Sequence, residues 1–425
     1  MKLLMYCNRS SLWPIVRHFL IGLALMLACS ASMAAFTVSD EVYKALNNAQ
    51  KDIDNQQYER AIQSLERLQQ RSALSAYEKA MIDNQLGYLY YQTQQISQAI
   101  TAFEKVARYE PIPKTLQQSS LYTLAQIYFE NEAYSKAIST LQRWFAIVKN
   151  PSEDAYAFLA QAYYQTNNHQ LVVDNISKAL DIVEQKNLSP LEQWLVMLQS
   201  SYSELGLIEH RVNVMKWLIR IYPKKDYFLA LSTAYGLLDN RSKQLAVLEI
   251  AYHQGMLDQS SELLTLASLM FSGHAPYKAA KVLEKAMADK LIAANVRHLK
   301  FLASAWIDAK EFSKAIPVLE RAAAANQSGE IDVMVGNSYF NLGNWQAAAN
   351  AFQTALEKGD IKQPEKLWLL IGQCYLKLKD FGVAGQIFSK ALTFEEVKAQ
   401  ADQWLRYTRV EEQRYQAWQA FKATH

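Results

Sequence analysis

Hydrophobic positions along this chain recur three or four residues apart, in blocks of about a dozen residues, which is the period of helices with one buried face. The stretch QLGYLYYQTQQISQAITAFEKVARYEP, 85–111, shows the unit. Leu86, Gly87 and Tyr90 share one face of a first predicted helix; Ala99, Phe103 and Val106 share one face of a second. The same offsets return at Val335, Gly336, Tyr339, Ala348, Phe352 and Ala355, and again at Ile371, Gly372, Tyr375, Ala384, Phe388 and Ala391. Each block therefore predicts a helix–turn–helix hairpin. The small residue lets the first helix approach the second closely, and the alanine of the second is the reciprocal contact point.

Aligned on these offsets, hairpins are expected to start near residues 42, 80, 118, 153, 192, 225, 260, 296, 329 and 365, about ten units over 35–392. The spacing is that of a repeat array, in which each unit buries its apolar face against the next. Pro111, Pro151, Pro190, Pro223 and Pro364 fall between predicted hairpins, whereas Pro317 lies inside a second helix. The final amphipathic stretch, 393–425, carries Val397, Ala401, Trp404, Leu405, Tyr407, Val410, Trp418 and Phe421 and predicts a capping helix. The unit resembles the tetratricopeptide repeat. That resemblance implies an all-α, right-handed superhelical solenoid whose first helices line a concave face.

The amino terminus breaks the pattern. Lys2, Arg9 and Arg17 lie in a 34-residue stretch without Asp or Glu, the apolar run Phe19–Ala28 follows, and Ser32 and Ala34 form a small-x-small exit. This reads as a secretory signal peptide, 1–34, cleaved near Ala34/Ala35; the run is too short for a span of about 20 residues. Two other readings are lipid anchoring through Cys29, at the end of a weak lipobox, and an uncleaved N-terminal anchor. Cleavage would leave Cys374 alone, inside a helical apolar pattern.

Composition adds exclusions. Of 425 residues, Gly 13 and Pro 9 are far too few for a linker-rich or disordered chain. Lys+Arg 44 against Asp+Glu 41 gives +3, and the three surplus charges are those of the signal segment. No basic cluster remains to mark a nucleic-acid surface. The histidines His169, His210, His253, His274, His298 and His425 show no ligand spacing, and no phosphate loop or nucleophile motif occurs. Neither catalysis nor a metal or other cofactor is expected, and Glu395–Glu396 and Glu411–Glu412 read as solvated helix faces.

Function is therefore sought on the concave face. Its inward positions in the second to fourth hairpins are Asn84, Tyr88 and Tyr91, then Tyr122, Gln126 and Phe129, then Gln161 and Tyr164. Rings supply contact area and amides pair with a backbone, which suits a protein partner presenting an extended segment. The corresponding positions further on, Val196, Ser200, Leu229, Thr233, Leu264 and Ser268, are blander. Arg297 and Lys300 stand where a carboxylate clamp would, but Ser304 replaces its asparagine.

The segment 222–287, with YPKKDY, KQLAVLE, AYHQG, SELLTLA and PYKAAKVLEK, and the earlier IPKTLQQSSLYTLAQIY resemble tetratricopeptide proteins encoded in gamma-proteobacterial TonB-system clusters. The resemblance implies a periplasmic, non-catalytic adaptor. It would be accessory to outer-membrane uptake of iron-siderophore or haem, with TonB, ExbB and ExbD as candidate partners. The alternative is an envelope-assembly scaffold, binding outer-membrane or peptidoglycan machinery. No integral membrane span is expected in the mature chain.

Overall fold

The computed structural model describes residues 36–424; the predicted signal peptide, Cys29 and the Ala34/Ala35 cleavage site lie outside them. The chain divides into two compact units, one reaching Leu205 and one starting at Gly206. The repeat period does not mark this boundary.

The described part of the first unit holds α1 (Asp40–Asp54), α2 (Tyr58–Gln69), α3 (Ala76–Gln92), α4 (Ile96–Val106), α5 (Lys114–Glu130), α6 (Tyr134–Ile147), α7 (Glu153–Gln165), α8 (His169–Gln185) and α9 (Glu192–Glu204). The second holds α10 (Ile208–Ile221), α11 (Lys225–Leu237), α12 (Arg241–His253), α13 (Ser260–Ser272), α14 (Pro276–Ala288), α15 (Val296–Asp308) and α16 (Phe312–Ala324). It continues with α17 (Glu330–Asn341), α18 (Trp345–Lys358), α19 (Pro364–Lys377), α20 (Phe381–Ala391) and α21 (Lys398–Thr424). The fold is all-α, with no strand among the described residues. In the first unit helices pair as α1–α2, α3–α4, α5–α6 and α7–α8, with α9 against α8. In the second α10 packs on α11 and the pairs run α11–α12 to α19–α20, with α21 against α20, and within each unit every hairpin packs against the next.

One turn recurs. Gln56, Gln94, Glu132, Asn167, Asp239, His274, Lys310 and Lys379 all adopt φ between 52° and 64°, each two residues after a first helix ends; Gly206 and Gly343 hold the same place. The amide after each of these but Gly206 closes the helix: Gln95 N–H donates to the Tyr90 carbonyl at 2.7 Å, Glu311 to Trp306 at 2.9 Å, Asn344 to Tyr339 at 3.0 Å. A second bond, such as Gln94 N–H to the Tyr91 carbonyl at 3.1 Å, completes a Schellman motif. The left-handed residue reverses the chain and sets the second helix on the first.

Hairpin packing follows the small-residue rule. A Cβ added to Gly336 would sit 2.5 Å from the Phe352 ring, and one on Gly372 would sit 2.5 Å from Phe388. These phenylalanines are fully buried, as are Ala348 and Ala384 one turn earlier. The aromatic three residues after the glycine looks backward instead. Tyr90 Oη donates to Glu66 at 2.5 Å, Tyr128 to Glu104 at 2.5 Å and Tyr339 to Glu320 at 2.8 Å, each acceptor lying on the preceding hairpin's second helix.

In the first unit one apolar cluster runs from Val42 to Ala137. Another in the second runs from Val212 to Val335, followed by smaller ones around Phe352 and Phe388. Buried polar groups sit at hairpin junctions. Glu78 caps α3 through Ser75 and reaches Ser39, which precedes α1, accepting from its N–H at 2.9 Å and its hydroxyl at 2.7 Å. Lys358 donates to Asp332 at 2.8 Å and to the Ala323 carbonyl at 3.0 Å, tying α18 to α17 and α16. Pro317 lies inside α16, which runs unbroken past it. Cys374 is fully buried, and burial pushes its thiol up to about 12.

Candidate functional site

The eight residues expected on the first-helix face all lie in the first unit, on α3, α5 and α7, and all are half-buried. The structure brings them together mainly by joining each helix to the next first helix along. Asn84 on α3 accepts from the Ser120 hydroxyl of α5 at 3.1 Å. Tyr88 meets the Thr123 hydroxyl at 3.3 Å and sets its ring edge-on to Phe103, centroids 5.1 Å apart. Tyr91 donates to Glu130 at 2.5 Å. One step on, Tyr164 of α7 meets the Ser200 hydroxyl of α9 at 2.9 Å and packs edge-on to His169.

Between α5 and α7 rings replace hydroxyls. Phe158 stands edge-on to both Tyr122 and Phe129, at 5.7 and 5.4 Å, and Tyr122 also leans on Trp144 at 5.2 Å. Phe129 touches Tyr134 at 5.2 Å, and Phe145 touches Tyr156 at 4.9 Å under the ammonium of Lys178. Such contacts are worth roughly 0.5–1.5 kcal/mol each beyond the area they bury.

The environment of the phenols reflects this use. Burial raises the Tyr88 hydroxyl. Burial and the Glu130 carboxylate raise Tyr91, while burial and nearby Asp154 push Tyr122 up to about 12. All three stay neutral donors at physiological pH. Gln126 and Gln161 differ: half-buried, neither makes a side-chain hydrogen bond among the described residues. The face thus combines a stiff aromatic floor with two amides able to bond a main chain.

Phe158 and Trp144, which join the floor's two halves, were not among the expected residues. Phe158 was legible as an aromatic on a first helix, four residues from Ala162 on the α7 ladder; Trp144, on a second helix, carried no such signal. In the second unit Lys300 pairs with Glu330 at 3.3 Å, which engages one of the two basic residues of the incomplete clamp. His274 occupies a left-handed turn position. No group of three His, Cys, Asp or Glu side chains that could hold a metal occurs among the described residues. No described helix is long and apolar enough to cross a membrane.

Residues 84–148 and 334–402 match the tetratricopeptide repeat family. No curated protein matches the chain. Among solved structures, the crystal structure of MamA protein is 19% identical, covering 41% of this chain and 91% of its own, with a TM-score of 0.35. A tetratricopeptide repeat protein from Parabacteroides merdae is 14% identical over 59% of this chain and 93% of its own, TM-score 0.36. The TPR2AB domain of yeast Sti1, solved as a pHSP90 complex, is 13% identical over 62% of this chain and 98% of its own, TM-score 0.35.

Proposed function

We propose that the chain is a non-catalytic adaptor that holds an extended segment of a protein partner along the first-helix face of α3, α5 and α7. One observation carries this reading: half-exposed rings on successive first helices are held in place by one another, and Gln126 and Gln161 lie among them with no side-chain hydrogen bond of their own. Side chains already fixed lose little entropy on binding. Helices about 8–10 Å apart place three first helices across roughly 20 Å, the length of about six extended residues. Gln126 and Gln161 bond the partner's main chain, and Tyr122, Phe129 and Phe158 take its side chains. Micromolar affinity, about −8 kcal/mol, is expected for this contact.

The partner is a periplasmic segment of the TonB–ExbB–ExbD complex, and the adaptor is exported and accessory to iron-siderophore or haem uptake. The likeness of 222–287 to TonB-cluster proteins and the signal-like residues 1–34 support this. The test is in-cell photocrosslinking from positions 126 and 161. Capture of TonB, ExbB or ExbD is expected, together with its loss in a Gln126→Arg/Gln161→Arg variant of unchanged helicity. Capture of an outer-membrane-assembly or peptidoglycan protein would replace this partner with the envelope scaffold's. Undiminished capture by the variant would remove the face itself.

A further inference from the structure

The last helix is unlike the others. α21 has 27 residues, where the other twenty described helices have 11 to 17. Its first half is seated on α20: Ala401 and Thr408 are buried, and the Trp404 ring stacks on Phe388 with centroids 5.9 Å apart and planes 8° from parallel. Tyr415 still reaches back, to Phe381 and Lys379. From Gln416 to Ala423 every residue is exposed. A helical end of this length owes little to intrinsic propensity, because helices shorter than about 12–15 residues are marginal in water unless something packs on them.

A stripe runs along this helix at the spacing of a coiled-coil seam. Trp404, Tyr407, Glu411, Arg414, Trp418 and Phe421 follow one another by 3, 4, 3, 4 and 3 residues, the alternation of a and d positions. Tyr407, Trp418 and Phe421 are 47%, 53% and 53% exposed, among the most exposed large hydrophobic residues described. The order of chemical classes along the stripe is aromatic, aromatic, acid, base, aromatic, aromatic. A two-fold axis perpendicular to the helix between residues 412 and 413 turns this order into its own complement. Trp404 then faces Phe421 of the other copy, Tyr407 faces Trp418, and Glu411 faces Arg414.

We propose that α21 is a self-association element, pairing with α21 of a second copy as an antiparallel two-stranded coiled coil. Isologous contact is the commonest form of oligomer and requires a self-complementary patch. An unrelated partner helix would need no such symmetry about 412–413. The central layers put opposite charges across the axis in both directions, which fixes antiparallel over parallel pairing, where Glu411 would meet Glu411 and Arg414 would meet Arg414. Within one copy Glu411 and Arg414 already lie 2.8 Å apart, so the two copies form a four-charge cluster at the centre. The eight rings of the two copies, about 150–250 Å² each and already about half covered, bury roughly 600–1,000 Å² in all, the low end of specific interfaces and the size of a weak, reversible one. This pairing is independent of what the first-helix face binds.

Sedimentation of the full chain between about 1 and 100 µM, the range of a micromolar equilibrium, tests the proposal. The wild type is expected to shift from one chain of 48.5 kDa towards two. Glu411→Arg and Arg414→Glu each set like charges across the axis and should weaken association at least tenfold, as should Trp418→Glu. An equimolar mixture of the two charge variants should associate again, since only the mixed pair restores opposite charges in both central layers. Loss of the contact within one helix cannot produce that recovery. A wild type that stays monomeric throughout, charge variants that associate like wild type, or a mixture that stays monomeric would each overturn it.

Discussion

At Gly372 the backbone of a first helix lies against a phenylalanine ring with no room for a methyl group, whereas Gly385 has its nearest neighbour, Leu405 Cδ1, 3.9 Å from a built Cβ. The two glycines should answer oppositely to alanine. Gly372→Ala forces the fully buried Phe388 to move and costs about 1–3 kcal/mol; Gly385→Ala gains up to about 1 kcal/mol from helix propensity. Urea unfolding of both variants checks the contrast, and equal effects would mean that packing does not govern the first site. Glu78 gives a pH-dependent case. Burial would raise its carboxyl, but four hydrogen bonds from the amides and hydroxyls of Ser39 and Ser75 outweigh that and hold it at about 2. A depressed folded value stabilises above the unfolded value, near 4.3, and the gain is lost as pH falls through about 2. Glu78→Gln should therefore cost about 1–3 kcal/mol at pH 7, with the deficit shrinking as unfolding is measured below about pH 4.3. A constant deficit would show that the charge is not what holds the two helix ends. The role of Gly372 was legible because its spacing to Phe388 repeats elsewhere. That of Glu78 was not, since Ser39 lies 39 residues away in sequence.

Helix faces were readable at the scale of the element, because a 3.6-residue period and a buried alanine fix them. The turns were less so. The hairpin reversals need a left-handed residue, and glycine, the usual sign of one, stands there only at Gly206 and Gly343; Gln, Glu, Asn, Asp, His and Lys hold the rest. A left-handed backbone costs an L side chain roughly 1 kcal/mol, which the two closing hydrogen bonds and the packing of two helices override. Lys310, at φ 62°, is a place to recover it. Lys310→Gly should raise stability by about 0.5–1 kcal/mol, read as a higher urea midpoint, while a lower midpoint would mean that the lysine side chain contributes more than its backbone costs. The first-helix face was only partly legible for a related reason. Periodicity shows that Tyr88, Tyr91 and Tyr164 point along one side of their helices, but not that Thr123, Glu130 and Ser200 of the neighbouring first helix receive their hydroxyls.

Across the whole molecule, an uninterrupted repeat period coexists with two compact units. Nothing in the spacing separates α9 from α10, because the period records how a helix meets its neighbour, whereas a unit is defined by how far its contacts extend. The first unit has its own apolar cluster between Val42 and Ala137, and the second its own from Val212 onward. Leu205, Gly206 and Leu207, at the join, are exposed. A protease site introduced at Gly206 should accordingly be cut under native conditions and leave two fragments that each keep helical circular dichroism. Loss of helicity in either on cleavage would show that its core depends on the other.

The tyrosine-to-glutamate seam gives the array a direction. Tyr90, Tyr128 and Tyr339 each donate to a carboxylate borne by the hairpin before them in the chain. During synthesis, which proceeds from the amino end, each of these three acceptors is made before its donor, so the growing chain already carries the docking point for these three hairpins. Removing hairpins from the carboxyl end strands only carboxylates, which water solvates readily. Removing them from the amino end strands phenols at the edge of an apolar core. At these three junctions the bond works as a ratchet: shortening from the end completed last is tolerated better than shortening from the end completed first.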